Sequence, residues 1–280
     1  MRRESGLDIE FGRIGTLEVA LTVDRAAEIR RRGSAHGGWL EPADVAKTYP
    51  SLRPTAGALS HEEHGYVDAP RLATALARAA TRAGATFDRA RVAAVSRESG
   101  RLRVTIAAGV READHVVLAA GAWTNAIAGV RTPPLRPVRG QLLQLQWPGR
   151  PLQTIVWGPD CYLVPRVDGS VLVGATVEEA GFDERTTEDG IRRLREAAAD
   201  LFPVTRDARL IQARVGLRPA TPDELPVLGP DPDVPGLVHA SGHYRNGVLL
   251  APITAEVIAD WIVEGKRNAC FDAFPPDRFA

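Results

Sequence analysis

Two different spacings of apolar residues mark the predicted elements of this chain. Between Asp68 and Gly84, apolar side chains recur about every three to four residues, which predicts an amphipathic helix that begins at the aspartate and ends at the glycine. Residues 115–120, HVVLAA, form one continuous apolar run instead, as is typical of a strand buried on both faces of a parallel sheet. Further short strands are predicted at residues 85–87, 92–95 and 102–106.

Short strands follow one another in the middle of the chain, separated by turns such as Val167-Asp168-Gly169. This spacing indicates an antiparallel meander, which one helix at residues 188–201 interrupts. The strands predicted here are residues 138–146, 154–157, 162–165, 171–176 and 210–215. We therefore expect a mixed α/β fold with two intertwined lobes and a ligand at their interface.

The strongest candidate for a ligand-binding segment is the stretch of residues 241–262. A short apolar strand, residues 237–240, precedes it, and a helical spacing of apolar residues begins near Val248. Gly242 and Gly247 allow a ligand to approach the backbone, and a helix start offers unpaired N–H groups and the positive end of a dipole. An anionic or electron-rich ring would suit this place, although an ordinary strand-to-helix turn explains the same residues.

Composition narrows the possible partners and compartments. Lys plus Arg and Asp plus Glu are 35 each, so no global field attracts nucleic acid or anionic lipid. The two cysteines, Cys161 and Cys270, are too few for a disulfide framework and lie in no zinc-binding spacing. No apolar run is long enough for a membrane span, and we expect a cytoplasmic protein.

Three side chains at strand ends or glycine turns are candidates for binding a carboxylate: Tyr162, Arg218 and Arg245. Arginine presents a planar fork that matches a carboxylate, and a tyrosine hydroxyl adds a donor. Each residue also has an ordinary explanation, since Arg218 could pair with Asp223 or Glu224 and Tyr162 could belong to the core. No GxSxG, P-loop, HExxH or GxGxxG sequence occurs, so hydrolase and kinase functions lack support.

Five segments, in the same order, resemble the glycine oxidases of the thiamine pathway, the ThiO type among D-amino-acid-oxidase-like FAD-dependent oxidoreductases. The resemblance extends over nearly the whole chain. The segments are VLAAGAWTN (117–125), PVRGQLLQL (137–145), CYLVPR with VLVGAT (161–166 and 171–176), GLRPATPDELPVLGP (216–230) and GHYRNGVLLAP (242–252).

The resemblance implies where the cofactor FAD and the substrate bind. Arg218 is expected to bind the substrate carboxylate, with Tyr162 and Arg245 completing the substrate site. Val92 is expected to contact the adenosine side of FAD through its backbone. The segment expected to wrap the flavin ring consists of His243, Tyr244, Arg245, Asn246, Gly247, Val248 and Leu249.

The resemblance also implies an activity, which is oxidation of glycine by FAD and dioxygen to an imine, and from there to glyoxylate and ammonia, with hydrogen peroxide as the second product. The imine could instead supply thiazole synthesis for thiamine. Sarcosine, proline or D-amino acids are alternative substrates, because pocket volume decides which side chain is accepted. Such oxidases are often oligomeric, which suggests a homo-oligomer.

One departure from the family pattern concerns its opening βαβ unit, where GxGxxG holds the FAD pyrophosphate. The chain carries no such unit, and a Rossmann-like lobe without it is expected to bind FAD weakly or not at all. A non-catalytic remnant or one part of a split enzyme is therefore a further alternative. The expected remnant of the FAD lobe is residues 66–127 and 236–270, and the expected substrate lobe, with a largely antiparallel sheet, is residues 1–65 and 128–235.

Overall fold

The fold is that of a computed structural model, which describes residues 2–33 and 35–279. Its α-helices are α1 (Arg2–Ser5), α2 (Val23–Arg32), α3 (Pro42–Thr48), α4 (Ala69–Arg82), α5 (Glu188–Leu201), α6 (Gly247–Glu264) and α7 (Ala269–Ala273), and Gly121–Ala126 and Pro203–Thr205 are 3₁₀ helices. Its strands are β1 (Phe11–Gly12), β2 (Thr16–Ala20), β3 (Trp39–Leu40), β4 (Gly57–His61), β5 (Tyr66–Val67), β6 (Val92–Glu98), β7 (Arg101–Ile106), β8 (Gly109–Ala113), β9 (Val116–Leu118), β10 (Arg136–Gln146), β11 (Ile155–Trp157), β12 (Tyr162–Pro165), β13 (Ser170–Gly174), β14 (Leu210–Ala220), β15 (Val227–Pro230) and β16 (Leu237–Ser241).

The chain forms two compact units, each assembled from separate stretches. The first contains the residues up to Thr86 together with Gly140–Val177 and Glu184–Gly216. The second contains Phe87–Arg139, Glu178–Asp183 and the residues from Leu217 onward. Residues 66–86 thus belong to the first unit and 217–235 to the second, and the assignment of cofactor and substrate lobes stays a prediction.

An eight-stranded sheet has the order β14-β10-β13-β12-β11-β2-β4-β3. The pairs β10/β13, β13/β12 and β12/β11 are antiparallel, which confirms the predicted meander, whereas β11 and β2 run parallel. Leu143, Val173 and Leu163 lie side by side across three strands and are fully buried. The apolar face of α5 packs against this core through Leu194, Ala198 and Leu201.

The second unit contains two smaller sheets. Strands β6, β7 and β8 form an antiparallel sheet, and β15, β16 and β9 form another in which β16 and β9 are parallel. Side chains alternate along β16, so Leu237 joins one core cluster with Leu102 and Leu118. Val238 joins a different cluster, with Val257 of α6 among its members.

Two local expectations from the sequence differ from the structure. Residues 85–87 are not a strand, because the chain leaves α4 through Gly84 at φ +98 and stays irregular as far as β6. The run at 115–120 supplies only the short β9, and Val117 is 39% exposed, so it is not buried on both faces.

Among the described helices, none combines the length and the apolar composition that crossing a bilayer requires.

A buried ion cluster fixes the start of α4 in the first unit. Asp68 is the N-cap of α4 and accepts a hydrogen bond from the Arg71 N–H, as the sequence predicts. Its carboxylate also contacts the Arg166 guanidinium, whose Nε lies 2.7 Å from Glu10 Oε1. The side chains of Glu10, Asp68 and Arg166 are 3%, 8% and 10% exposed. Burial alone would raise the pKa of Asp68, but the hydrogen bonds from Arg166 and the Arg71 N–H hold it below its usual value of 3.8.

We expect Arg166→Ala to lower the free energy of unfolding by about 3 kcal/mol, because two buried carboxylates lose their counter-charge. Urea denaturation at neutral pH measures this change. A carboxyl group with a depressed folded-state pKa contributes stability above its unfolded pKa, and this contribution is lost as the pH falls through the folded value. The difference between the wild type and the variant should therefore shrink in acid.

The matched control is Arg192→Ala on the exposed face of α5, where Arg192 pairs with Asp189 and Glu196. Since all three side chains are more than half exposed, this change should cost under about 1 kcal/mol. Equal losses of unfolding free energy in the two variants would show that the buried Arg166 cluster stabilises the fold no more than an exposed ion pair does.

Candidate functional site

The turn between β16 and α6 has the geometry of a ligand-binding helix start. Helix α6 is 18 residues long, and its N-cap residue, Asn246, makes no side-chain capping hydrogen bond. The N–H groups of the first helical turn are therefore open to an external acceptor, and the positive end of the helix dipole adds to their attraction for negative charge. The predicted strand, turn and helix are confirmed in this order.

Gly242 opens this turn in a conformation and a space that favour glycine. Its φ is +71, and a Cβ atom at this position would lie 2.9 Å from Thr221 Cγ2 and 3.3 Å from the Val227 backbone N. Any side chain would thus be strained and would lie too close to the Thr221 methyl group, with the Val227 backbone also near. The close approach packs the turn, residues 242–246, directly onto the segment that begins at Thr221.

The turn and Arg218 lie close together within the second unit. Tyr244 N–H donates to the Pro219 carbonyl at 3.1 Å, and Arg218 is the residue directly before Pro219. The carboxylate of Asp223, which the sequence offers as an ordinary partner for Arg218, accepts hydrogen bonds from Arg278 at 2.8 and 3.0 Å. The structure therefore brings the backbone of the strand end that carries Arg218 next to the turn before α6.

Arg218 is half-buried near the end of β14, and its Nη1 lies 3.5 Å from the Arg139 carbonyl. Arg139 is itself buried, with Nε 2.7 Å from Glu178 Oε2 and Nη1 3.1 Å from Asp183 Oδ2. Two backbone hydrogen bonds also join Arg139 to Glu178. The carbonyl that faces Arg218 is therefore held by several contacts and limits where the guanidinium can move.

Tyr162, the tyrosine candidate, belongs to the first unit, on β12. It is half-buried, and its ring makes an edge contact with Trp157 at a centroid distance of 6.1 Å. Gly174, opposite it on β13, has no room for a Cβ, which would lie 2.4 Å from the tyrosine hydroxyl oxygen. No residue spacing in the sequence indicates this contact, because Gly174 looks like an ordinary glycine at the end of a strand.

His243 is engaged within the second unit. Its Nε2 lies 3.0 Å from Thr254 Oγ1 on α6. Burial lowers the pKa of His243 below its usual value, so the imidazole is neutral at pH 7.

The two remaining candidates lie at different places in the second unit. Arg245 is exposed at the tip of the turn. Val92 begins β6 next to a bulge between Val92 and Ala94, opposite Ile106. The roles assigned to Arg245 and Val92 stay predictions.

Two buried hydroxyl groups form hydrogen bonds next to the turn, and the sequence pattern did not indicate them. Thr124 Oγ1 and Ser241 Oγ both donate to the Gly121 carbonyl, at 2.8 and 3.3 Å. They lie 3.3 Å from each other and are at most 2% exposed. This network ties the end of β16 to the 3₁₀ helix that follows β9. Its only signal in the sequence is that both hydroxyls flank glycine turns.

The residues of the turn fit a flavin ring. Aliphatic side chains of the first turns of α6 are exposed beside the free N–H groups, with Val248 50%, Leu249 78% and Ile253 46% exposed. N–H donors suit the polar edge of a planar heterocycle, and aliphatic groups suit its faces.

Comparisons with known proteins agree with this geometry. The family model DAO, described as FAD dependent oxidoreductase, matches residues 1–261. The bifunctional protein ThiO/ThiG of Trichormus variabilis is 38% identical over 255 residues, which cover 89% of this chain and 38% of that protein. The glycine oxidase of Geobacillus kaustophilus is 35% identical over 288 residues, which cover 98% of this chain and 76% of that protein.

Solved structures show the same relationship. The crystal structure of glycine oxidase from Geobacillus kaustophilus has a TM-score of 0.91 at 34% identity, covering 99% of this chain and 78% of that one. Iminodiacetate oxidase from Chelativorans has a TM-score of 0.89 at 28% identity, covering 98% and 79%. This chain spans 38% of the length of the bifunctional relative. The mixed α/β fold and the resemblance seen in the sequence are thus confirmed, and the chain belongs to the DAO family of FAD dependent oxidoreductases.

Proposed function

We propose that this chain carries the substrate-binding residues and the ring-binding turn of an FAD-dependent amino-acid oxidase that acts on glycine or a similarly small amino acid. The products are an imine, which water converts to glyoxylate and ammonia, and hydrogen peroxide from dioxygen. One observation carries the proposal, which is the hydrogen bond from Tyr244 N–H to the Pro219 carbonyl. It joins the turn before α6 to the backbone of the strand end that carries Arg218, which supports the proposal that Arg218 binds a carboxylate beside a helix start that suits a flavin.

Arg218 binds the substrate carboxylate in this proposal. A guanidinium and a carboxylate form two parallel hydrogen bonds, which fixes the orientation of the amino acid as well as its position. The contact with the Arg139 carbonyl restricts the fork before the substrate arrives. Less side-chain entropy is then lost on binding, and the α-carbon is held at a defined place.

The helix start of α6 holds the ring of the cofactor. When bound, FAD supplies the chemistry by accepting a hydride from the α-carbon of the substrate. The N–H groups of the first turn of α6 and its dipole favour negative charge at the polar edge of the ring. The neutral imidazole of His243 adds no charge of its own beside the ring. The side chains of Val248 and Leu249 exclude water from the face of the ring.

Tyr162, Arg245 and Val92 complete the proposal. Tyr162 and Arg245 contribute donors to the substrate, and the backbone of Val92 contacts the adenosine part of FAD. Support for these roles comes from the resemblance seen in the sequence and from the 38% and 35% identity to the relatives named ThiO/ThiG and glycine oxidase. The name ThiO/ThiG also supports a role in which the imine is supplied for thiazole synthesis in thiamine formation.

A second candidate substrate is a secondary amine such as iminodiacetate, sarcosine or proline. The likeness to the iminodiacetate oxidase, at 28% identity, favours this alternative over larger α-amino acids. The Arg218 fork serves any of these carboxylates, so only turnover can separate them. Glycine, sarcosine, iminodiacetate, proline and D-alanine should be compared by their values of kcat/KM.

The test of the proposed function is an anaerobic absorption spectrum of the purified chain with FAD, before and after addition of glycine. Loss of the visible flavin absorption on adding glycine is the expected result, since the cofactor is then reduced. FAD that binds but is reduced by none of the small amino acids would contradict an oxidase. A chain that takes up no FAD at any concentration would contradict the ring site at α6.

We expect Arg218→Ala to raise KM for glycine by about 10- to 150-fold, the equivalent of one charge-assisted hydrogen-bonded contact. Steady-state peroxide release measures it. Arg214→Ala is the matched control, because Arg214 lies on the same strand and its Nε contacts Gln212 at 3.0 Å. A KM for glycine that is the same in Arg218→Ala as in the wild type would remove Arg218 from the site.

We expect Gly242→Ala to weaken FAD binding roughly tenfold, because the new Cβ collides with Thr221 and forces the turn to move. Quenching of flavin fluorescence during titration gives the Kd. Gly265→Ala is the matched control, since Gly265 ends the same helix at φ +68 with nothing within 4 Å of the added Cβ. If both variants bind FAD equally well, the contact between the turn and Thr221 has no part in holding the ring.

A further inference from the structure

A loop of residues 221–226, which we name the TPDELP loop, joins the end of β14 to β15. It is closed on itself by hydrogen bonds from Thr221 Oγ1 to the Leu225 carbonyl at 2.8 Å and from Glu224 N–H to the Thr221 carbonyl at 3.2 Å. Glu224 has a positive φ of 58, and Leu225 is 47% exposed. Nothing in these local contacts alone prevents the loop from moving as a unit.

A residue close to the C-terminus fastens this loop. Arg278 Nε lies 2.8 Å from Asp223 Oδ2, and its Nη2 lies 3.0 Å from Asp223 Oδ1 and 2.9 Å from the Leu225 carbonyl. The hydrogen bonds from Arg278 hold the pKa of Asp223 far below its usual range. The Arg278 side chain is only 15% exposed, and it lies outside the residues 1–261 that the family model matches.

The TPDELP loop also touches the cofactor turn. Thr221 is fully buried, with its Cγ2 at 2.9 Å from where a Cβ on Gly242 would be. Its carbonyl accepts a hydrogen bond from Arg136 Nη1 at 3.0 Å. One end of the loop therefore supports Gly242, and the same end follows Arg218 by three residues. A shift of the loop would displace the turn and the arginine fork together.

We propose that Arg278 is a positioning residue for the active site of this enzyme. Its forked contact with Asp223 and Leu225 fixes the TPDELP loop, and the loop fixes the Gly242 turn and the end of β14. The proposal rests on the proposed function, because it assumes that the turn holds the cofactor and that Arg218 holds the substrate. An arginine that only fastened the C-terminus would leave both of these unaffected.

The experiment compares the full chain with Arg278→Ala, Arg278→Lys and Arg267→Ala by hydrogen exchange, without and with FAD. In Arg278→Ala, the amides of residues 221–227 and 242–248 should exchange about tenfold faster, while those of β10–β13 keep their rates. Arg278→Lys should recover only part of the protection, because lysine lacks the fork. Arg267→Ala is the matched control, since Arg267 makes a similar forked contact with Asp272 at 3.1 and 2.6 Å.

Kinetics then separate positioning from simple stabilisation. Arg278→Ala should raise KM for glycine about tenfold in protein saturated with FAD, and Asp223→Ala should do the same without adding to it in the double variant. Unchanged exchange at residues 242–248 would overturn the proposal. So would faster exchange spread evenly over the chain, or an equal effect of Arg267→Ala.

The two proposals fail in different ways. If the wild-type chain oxidises no amino acid but exchange of its 242–248 amides still depends on Arg278, the proposed function is contradicted. The effect of Arg278 on the Gly242 turn is then retained. An active wild type whose Arg278→Ala variant has normal KM and normal exchange would end the link alone.

Discussion

The close packing of Gly242 on Thr221 is the constraint on which the rest of the candidate site depends. A side chain at this position would be strained by the positive φ of Gly242 and would lie too close to the Thr221 side chain. This contact joins the turn before α6 to the residue that follows β14. The proposed ring-binding turn and the proposed carboxylate-binding residue Arg218 therefore lie on either side of one packed contact in the second unit.

Much of the fold could be predicted because its signals are local. Asp68 at a helix start, the apolar face of α5 and the alternating strands β10–β13 follow from spacing alone. The strand expected at residues 85–87 was wrong because three apolar or small residues carry no information about sheet partners. The exposure of Val117 shows that an apolar run does not establish burial by itself, because burial depends on neighbouring elements that the run does not reveal.

The site was predictable to a different degree. Glycines 242 and 247 before a helical pattern indicated a ligand turn, and the resemblance to glycine oxidases implied that Arg218 binds a carboxylate; both stay predictions. The supporting contacts were hidden because they join distant parts of the chain. Arg278 reaches Asp223 over 55 residues, and Thr124 meets Ser241 over 117. Side-chain pairs at such separations leave no periodicity in a single sequence.

Arginine makes the buried or half-buried charged contacts described above, at Arg139, Arg166, Arg218 and Arg278, whereas lysine occurs only at positions 47 and 266. Guanidinium groups stay protonated throughout the range in which proteins work. The amine of an amino acid, by contrast, must lose its proton before its α-carbon readily gives up a hydride. This framework keeps its own charges in alkaline solution, so a pH that deprotonates the proposed amino-acid substrate leaves these charged contacts intact.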